Sequence, residues 1–124
     1  MPRFFGVFGA LTGLIWVILG ALGAHLFTLA ASAQQRFDLA LRMLIVHALV
    51  LIILGTQQSV KHLPIRMLAG FAFTGGSVLF CSSLLALAFG APPFLSKLAP
   101  LGGLLLMLGW GLWAISLLRR NRLS

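Results

Sequence analysis

The chain has 124 residues, of which 60% are hydrophobic and 8% charged, and its mean hydropathy is +1.10. A soluble core of this size could not bury so much apolar surface, so the composition describes an integral membrane protein forming one domain over 1–124. The net charge of +8 does not point to nucleic acid: nine basic residues sit at the ends of apolar stretches, where membrane topology needs them, and form no basic stripe.

The first apolar stretch, 4–24, is long enough to cross a hydrocarbon core of about 30 Å. Arg3 and the small residues near Ala24 also resemble a secretory signal, but the run is long for one. Gly9-x-x-x-Gly13 and Gly20-x-x-x-Ala24 lay small residues along a helix face suited to close packing. The second span is expected over 36–57. Ser32 and Gln35 fit a capping box that would start its helix, Arg36, Asp38 and Arg42 form a polar entry, and the body is apolar apart from His47. The stretch 56–66 is polar, and Pro64 separates the second helix from the third.

A third span is expected over 66–90, with Gly75, Gly76, Ser77, Ser82 and Ser83 on a face toward other helices, and with Ala91-Pro92-Pro93 ending it. A fourth, 98–118, carries Gly102, Gly103, Gly109 and Gly111 and is stopped by Arg119, Arg120 and Arg122. The fold class is therefore all-α, a bundle of four transmembrane helices with glycines at the helix contacts. Arg3, Lys61, Arg66, Arg119, Arg120 and Arg122 outnumber Arg36, Arg42 and Lys97 on the other side, which places both termini in the cytoplasm.

Polar chemistry enters at few points. His47 lies near the middle of the second span, where an ionisable residue is by default a functional candidate; the plainer reading is a neutral ring hydrogen-bonded across the bundle. His25 ends the first span, where a ring caps the last carbonyls. Asp38 and Arg42 are four apart and can pair on one helix face, with Arg36 or His25 beside them. Together His25, Asp38, Arg42 and His47 are the candidate ligand cluster near the outward side. With the first turn centred near residue 30, His47 lies about 18 Å deeper than His25, too far for one metal or a bis-histidine haem within a single chain. No cofactor and no metal are expected. One cysteine, Cys81, excludes an intrachain disulfide and reads as a packing residue. With no glutamate, no tyrosine and one aspartate, a paired-carboxylate acid/base device cannot be built. Ser82 or Ser83 with His47 as nucleophile and base has no support in the spacing.

Several short motifs fall in a familiar order: Leu19-Gly-Ala-Leu-Gly-Ala-His25, Phe37-Asp-x-Ala40 leading to His47-Ala48-Leu49, Phe80-x-x-Ser83-Leu84, Pro100-Leu-Gly-Gly103 and Gly109-Trp110. Over nearly its whole length the chain resembles the YgdD-type family of small four-span bacterial inner-membrane proteins of unknown function, which has a eukaryotic transmembrane relative. Leu22 stands for a family phenylalanine, Leu26 for a glycine, Met43-Leu44 for tyrosine-glutamine and Cys81-Ser82 for serine-glycine. The resemblance implies the fold and the bacterial inner membrane, and no activity. Replacing tyrosine-glutamine removes polar partners near Asp38 and Arg42.

The leading expectation is a non-enzymatic accessory or self-associating bundle, in contact with lipid and either a homo-oligomer or part of a larger membrane complex. The alternatives are small-molecule or lipid binding and transport through the polar cluster, and, more remotely, an intramembrane enzyme or cofactor-binding subunit.

Overall fold

The computed structural model describes residues 2–25, 28–57 and 64–123, with the side chains of Pro2 and of 120–123 left aside. Four long helices carry the chain: α1 (Pro2–His25), α2 (Ala31–Thr56), α3 (Pro64–Ala88) and α4 (Leu98–Leu123), the last preceded by a 3-10 turn over Pro93–Lys97. All four are long and apolar enough to cross a membrane. Leu26, Lys61 and most of the polar stretch after α2 lie outside the described residues, as does part of the first connection.

The helix ends differ from the expected ones for local reasons. α2 begins at Ala31, just before the Ser32 expected to cap it, and five residues ahead of the span expected from 36. Ala30 is the extended residue before the helix (φ −62°, ψ 159°) and makes no side-chain cap, while Gln34 N–H already bonds Ala30 C=O at 2.8 Å. Ser32 thus lies inside the first turn. α3 starts on Pro64, which tolerates the first helical position because its missing N–H would have no partner there. It stops at Ala88 because Gly90 takes φ +91°. Gly90 N–H bonds Leu87 C=O (3.2 Å) and Ala91 N–H bonds Ala86 C=O (3.0 Å), the paired bonds of a Schellman cap. Glycine therefore ends the helix two residues before the expected 90, and Pro92-Pro93 open the 3-10 turn instead. α4 runs past the arginines that were expected to bound it at 118.

α2 and α3 form the centre. α1 packs along α2 and α4 along α3, so two helical hairpins join through their inner members. The core gathers Phe5, Val50, Leu51, Leu54, Ala69, Phe73 and Leu106, backed by Phe8, Phe80, Leu112 and Trp113. The outer faces of α1 and α4 remain apolar and exposed, as with Leu11, Val17, Met107 and Leu118, which suits contact with acyl chains rather than water.

The glycines divide sharply. A Cβ on Gly9 would meet Ala48 O at 2.7 Å, and one on Gly76 would meet Leu106 N at 2.9 Å. On Gly102 it would meet Phe80 N at 2.5 Å, and on Gly109 the Phe73 ring at 2.9 Å. Gly9, Gly76 and Gly102 let helices approach to backbone distance, while Gly109 makes room for a ring. Gly13 and Gly20 do not act this way within the chain: a Cβ on either would have nothing within 4 Å. Gly75 and Gly103 leave ordinary room, with nearest neighbours Leu105 at 3.9 Å and Phe80 at 3.8 Å. Two further glycines are pressed by rings, Gly23 by Phe37 and Gly70 by Phe5.

Candidate functional site

His47 sits on the buried face of α2 that also carries Ala40, Leu44, Ala48, Leu51 and Leu54, and is 3% exposed. Its Nδ1 lies 2.7 Å from Met43 O, one turn earlier. Trp110 of α4 donates its indole Nε1–H to His47 Nε2 at 3.2 Å. An indole nitrogen can only donate, so Nε2 is the acceptor and the proton resides on Nδ1, bonded to Met43 O. The ring is a neutral tautomer with both nitrogens engaged.

Aromatic rings surround it. His47 lies 5.8 Å from Phe73 and 6.0 Å from Trp110, and Phe73 meets Trp110 edge-on at 5.3 Å and Trp113 at 6.1 Å. The backbones of α2 and α4 do not pack directly. This junction of one histidine, one phenylalanine and two tryptophans spans the gap, with Phe73 of α3 between them. Aromatic pairs in such edge-on contacts contribute about 0.5–1.5 kcal/mol each beyond their burial.

The other members of the expected cluster lie elsewhere. Asp38 is partly exposed and accepts a hydrogen bond from Gln34 Nε2 at 2.9 Å, so its partner is a neighbour on the same helix, not Arg42. Arg36 and Arg42 are exposed, and His25 is the exposed last residue of α1. Among the described residues, no hydrogen bond or ion pair joins His25, Asp38, Arg42 and His47 to one another. Nine residues of α2 separate Asp38 from His47, about 13 Å along the axis. Ser82 and Ser83 return their protons to Val78 O and Leu79 O, and neither meets His47. Among the described residues no three His, Cys, Asp or Glu side chains come together. A metal or haem iron at His47 would have to displace the Trp110 bond.

Sequence reasoning found His47 and missed its partner. A depth argument finds it: Trp110 lies twelve residues into the span that starts at 98, and His47 eleven into the one expected from 36. Both helices enter from the same side, so the Trp110 indole N–H stands level with the His47 ring nitrogen that accepts it.

Comparison with known proteins gives a family and no activity. Residues 19–103 match the family model described as protein of unknown function DUF423. The inner membrane protein YgdD of Escherichia coli is 30% identical over 123 residues, covering 97% of this chain and 93% of that one. A UPF0382 membrane protein of Staphylococcus haemolyticus is 32% identical over 116 residues, covering 92% and 94%. One from Haemophilus influenzae is 31% identical over 103 residues, 82% of each chain. No solved structure matches.

Proposed function

The chain belongs to the DUF423 family of multi-pass membrane proteins of unknown function, and from that premise we propose that it is a non-enzymatic inner-membrane bundle working through helix–helix contacts, as an accessory subunit or a self-associating protein. The observation that carries this reading is the use of the buried histidine. His47 spends both nitrogens on protein, one on its own helix and one on α4, as a strut and not as an open ligand. The remaining polar candidates lie apart from it at the outward end. Little mass stands outside the spans to hold a separate active site, and the supply of acids and bases is too small for general acid/base chemistry. The basic residues orient the bundle with both termini in the cytoplasm.

Gly9 is already committed to α2, so the free packing room on α1 lies beside Gly13 and Gly20. Leucine at Gly13 and Gly20 together is expected to leave the monomer folded and to abolish assembly. The test is native mass spectrometry of protein extracted gently from its own membrane. A defined homo-oligomer or a second polypeptide, lost in Gly13→Leu/Gly20→Leu, supports the proposal. A bare monomer from the native membrane, or assembly unchanged by the double variant, refutes it.

A further inference from the structure

The chain's single acid stands one helical turn from an arginine, on a face of α2 that the rest of the bundle leaves open. Asp38, Arg42 and Leu49 fall within about 40° of one another around the helix. α1 sits on the flank that carries Phe37, Ala48 and Ile52, and α3 meets the flank that carries Ala40. The far side is uncovered: Leu49 is 54% exposed, Arg42 is exposed and Asp38 is partly so.

Arg42 lies deep for an exposed cation. Gly9 packs against Ala48 and Ile52 and Gly23 against Phe37, which sets Asp38 level with Leu22 of α1 and Arg42 level with Ile18. Ile18 is seven residues, about 10 Å, inside the end of α1 and within the apolar run 4–24. A guanidinium is always charged, and a charge at that depth is costly without a partner. Among the described residues Arg42 makes no hydrogen bond or ion pair. Asp38 is held the other way, toward Gln34, which donates to its Oδ1; its Oδ2 has no partner among those residues.

Resting on the self-associating reading above, we infer that this face pairs with a second copy of the chain about a two-fold axis along the membrane normal, Arg42 of each copy donating to Asp38 of the other. Such an axis sets residues against each other reciprocally, so one acid and one arginine make two ion pairs and neutralise both cations. Arg42 lies one turn, about 6 Å, along the helix from Asp38. A helical side chain leans toward its own N-terminus, which carries the guanidinium to the depth of the other copy's carboxylate. The glycines of α1 leave room for the approach. Gly13 lies about 100° round α1 from Thr12 and Gly20 about 140° from Ile15, two residues that turn toward α3. Both glycines therefore open on the flank beside Asp38, with nothing within 4 Å of an added Cβ, and Gly20 stands level with Ala40, between the two charges.

The test is charge exchange between copies of the full-length protein in its own membrane, read by native mass spectrometry after gentle extraction. Asp38→Arg sets arginine against arginine in a homodimer, and Arg42→Asp sets aspartate against aspartate. Each variant alone is expected to associate about a hundredfold more weakly than wild type. Co-expressed, the two place an arginine against an aspartate at both contacts, and a mixed dimer, separated from either homodimer by its mass, should form as wild type does. A pair made within one chain cannot be rescued in this way, since neither variant carries both signs at 38 and 42.

A second measurement leaves the charges untouched. In a Cys81→Ser background, Leu49→Cys should form an interchain disulfide on oxidation, and Met107→Cys, exposed on α4, should not. Should either charge variant fail to accumulate, this crosslink decides. Single variants that dimerise as wild type does, folded variants that give no mixed dimer, or no crosslink at Leu49→Cys would overturn the inference. So would a monomer holding a phospholipid that Arg42→Gln no longer holds. An assembly that ignores the charges but is lost in Gly13→Leu/Gly20→Leu would sink this inference alone and leave the proposed function standing. A bare monomer from the native membrane would sink both.

Discussion

Gly102→Ala, set against Gly13→Ala, isolates what close helix approach is worth in this bundle. Both positions are helical, so alanine brings the same intrinsic gain, about 0.8–1.0 kcal/mol over glycine. At Gly13 the new methyl group meets nothing within 4 Å, and that gain is the whole effect. At Gly102 it would stand 2.5 Å from the Phe80 backbone nitrogen and 2.8 Å from its Cα. Ordinary contacts need about 3.5 Å, so α3 and α4 must part by about 1 Å, and no side-chain rotation can relieve a clash with backbone. Overpacking of this kind costs about 1–3 kcal/mol, and a gap of about 1 Å forfeits up to half of each dispersion contact along the seam. Gly76 against Leu106 and Gly109 against Phe73 lie on that same seam. The net expectation is a loss of about 2 kcal/mol for Gly102→Ala and a gain of up to about 1 kcal/mol for Gly13→Ala, roughly two powers of ten apart in the folding equilibrium. Unfolding of the monomer in mixed micelles, followed by tryptophan fluorescence, reads both. Gly102→Ala as stable as wild type, or Gly13→Ala equally damaged, would refute the packing argument.

The His47–Trp110 bond should show in a double-mutant cycle: His47→Phe and Trp110→Phe are expected to couple by about 0.6–1.7 kcal/mol in micelle unfolding, and independent effects would mean that the bond carries no stability. Asp38→Asn should change stability by no more than about 0.5 kcal/mol, because its bond to Gln34 is a single pair one turn apart near the helix start, and a larger loss would show a wider polar network. Cys81 is 3% exposed inside a span and should resist a water-soluble maleimide until the protein is denatured in SDS. Native labelling would place it on a water-filled path. A green fluorescent protein fused after Ser124 should fluoresce and an alkaline phosphatase fusion there should be inactive; the reverse pattern would invert the proposed orientation.

Four helices and their membrane setting were determined by the sequence itself, because hydrocarbon thickness sets a minimum length for an apolar run and lipid demands that every backbone group be bonded within its own helix. Helix ends were less legible. Ser32 and Gln35 match the capping pattern, yet Ala30 starts the helix, and Gly90 ends α3 ahead of the prolines, since single-residue dihedrals decide such ends and composition does not encode them. His47 stood out because charge-capable groups are costly in lipid, and the motif order already resembled the right family. What only the tertiary structure decided is which side chains meet. Gly9 and Gly13 look alike in sequence, but only Gly9 faces a helix at backbone distance. Asp38 and Arg42 have pairing distance in sequence, but Gln34 holds the carboxylate. His47 and Trp110 are 63 residues apart and meet because three helices place them at one depth. Contacts of that kind depend on relative helix rotation and tilt, which a hydropathy pattern does not carry.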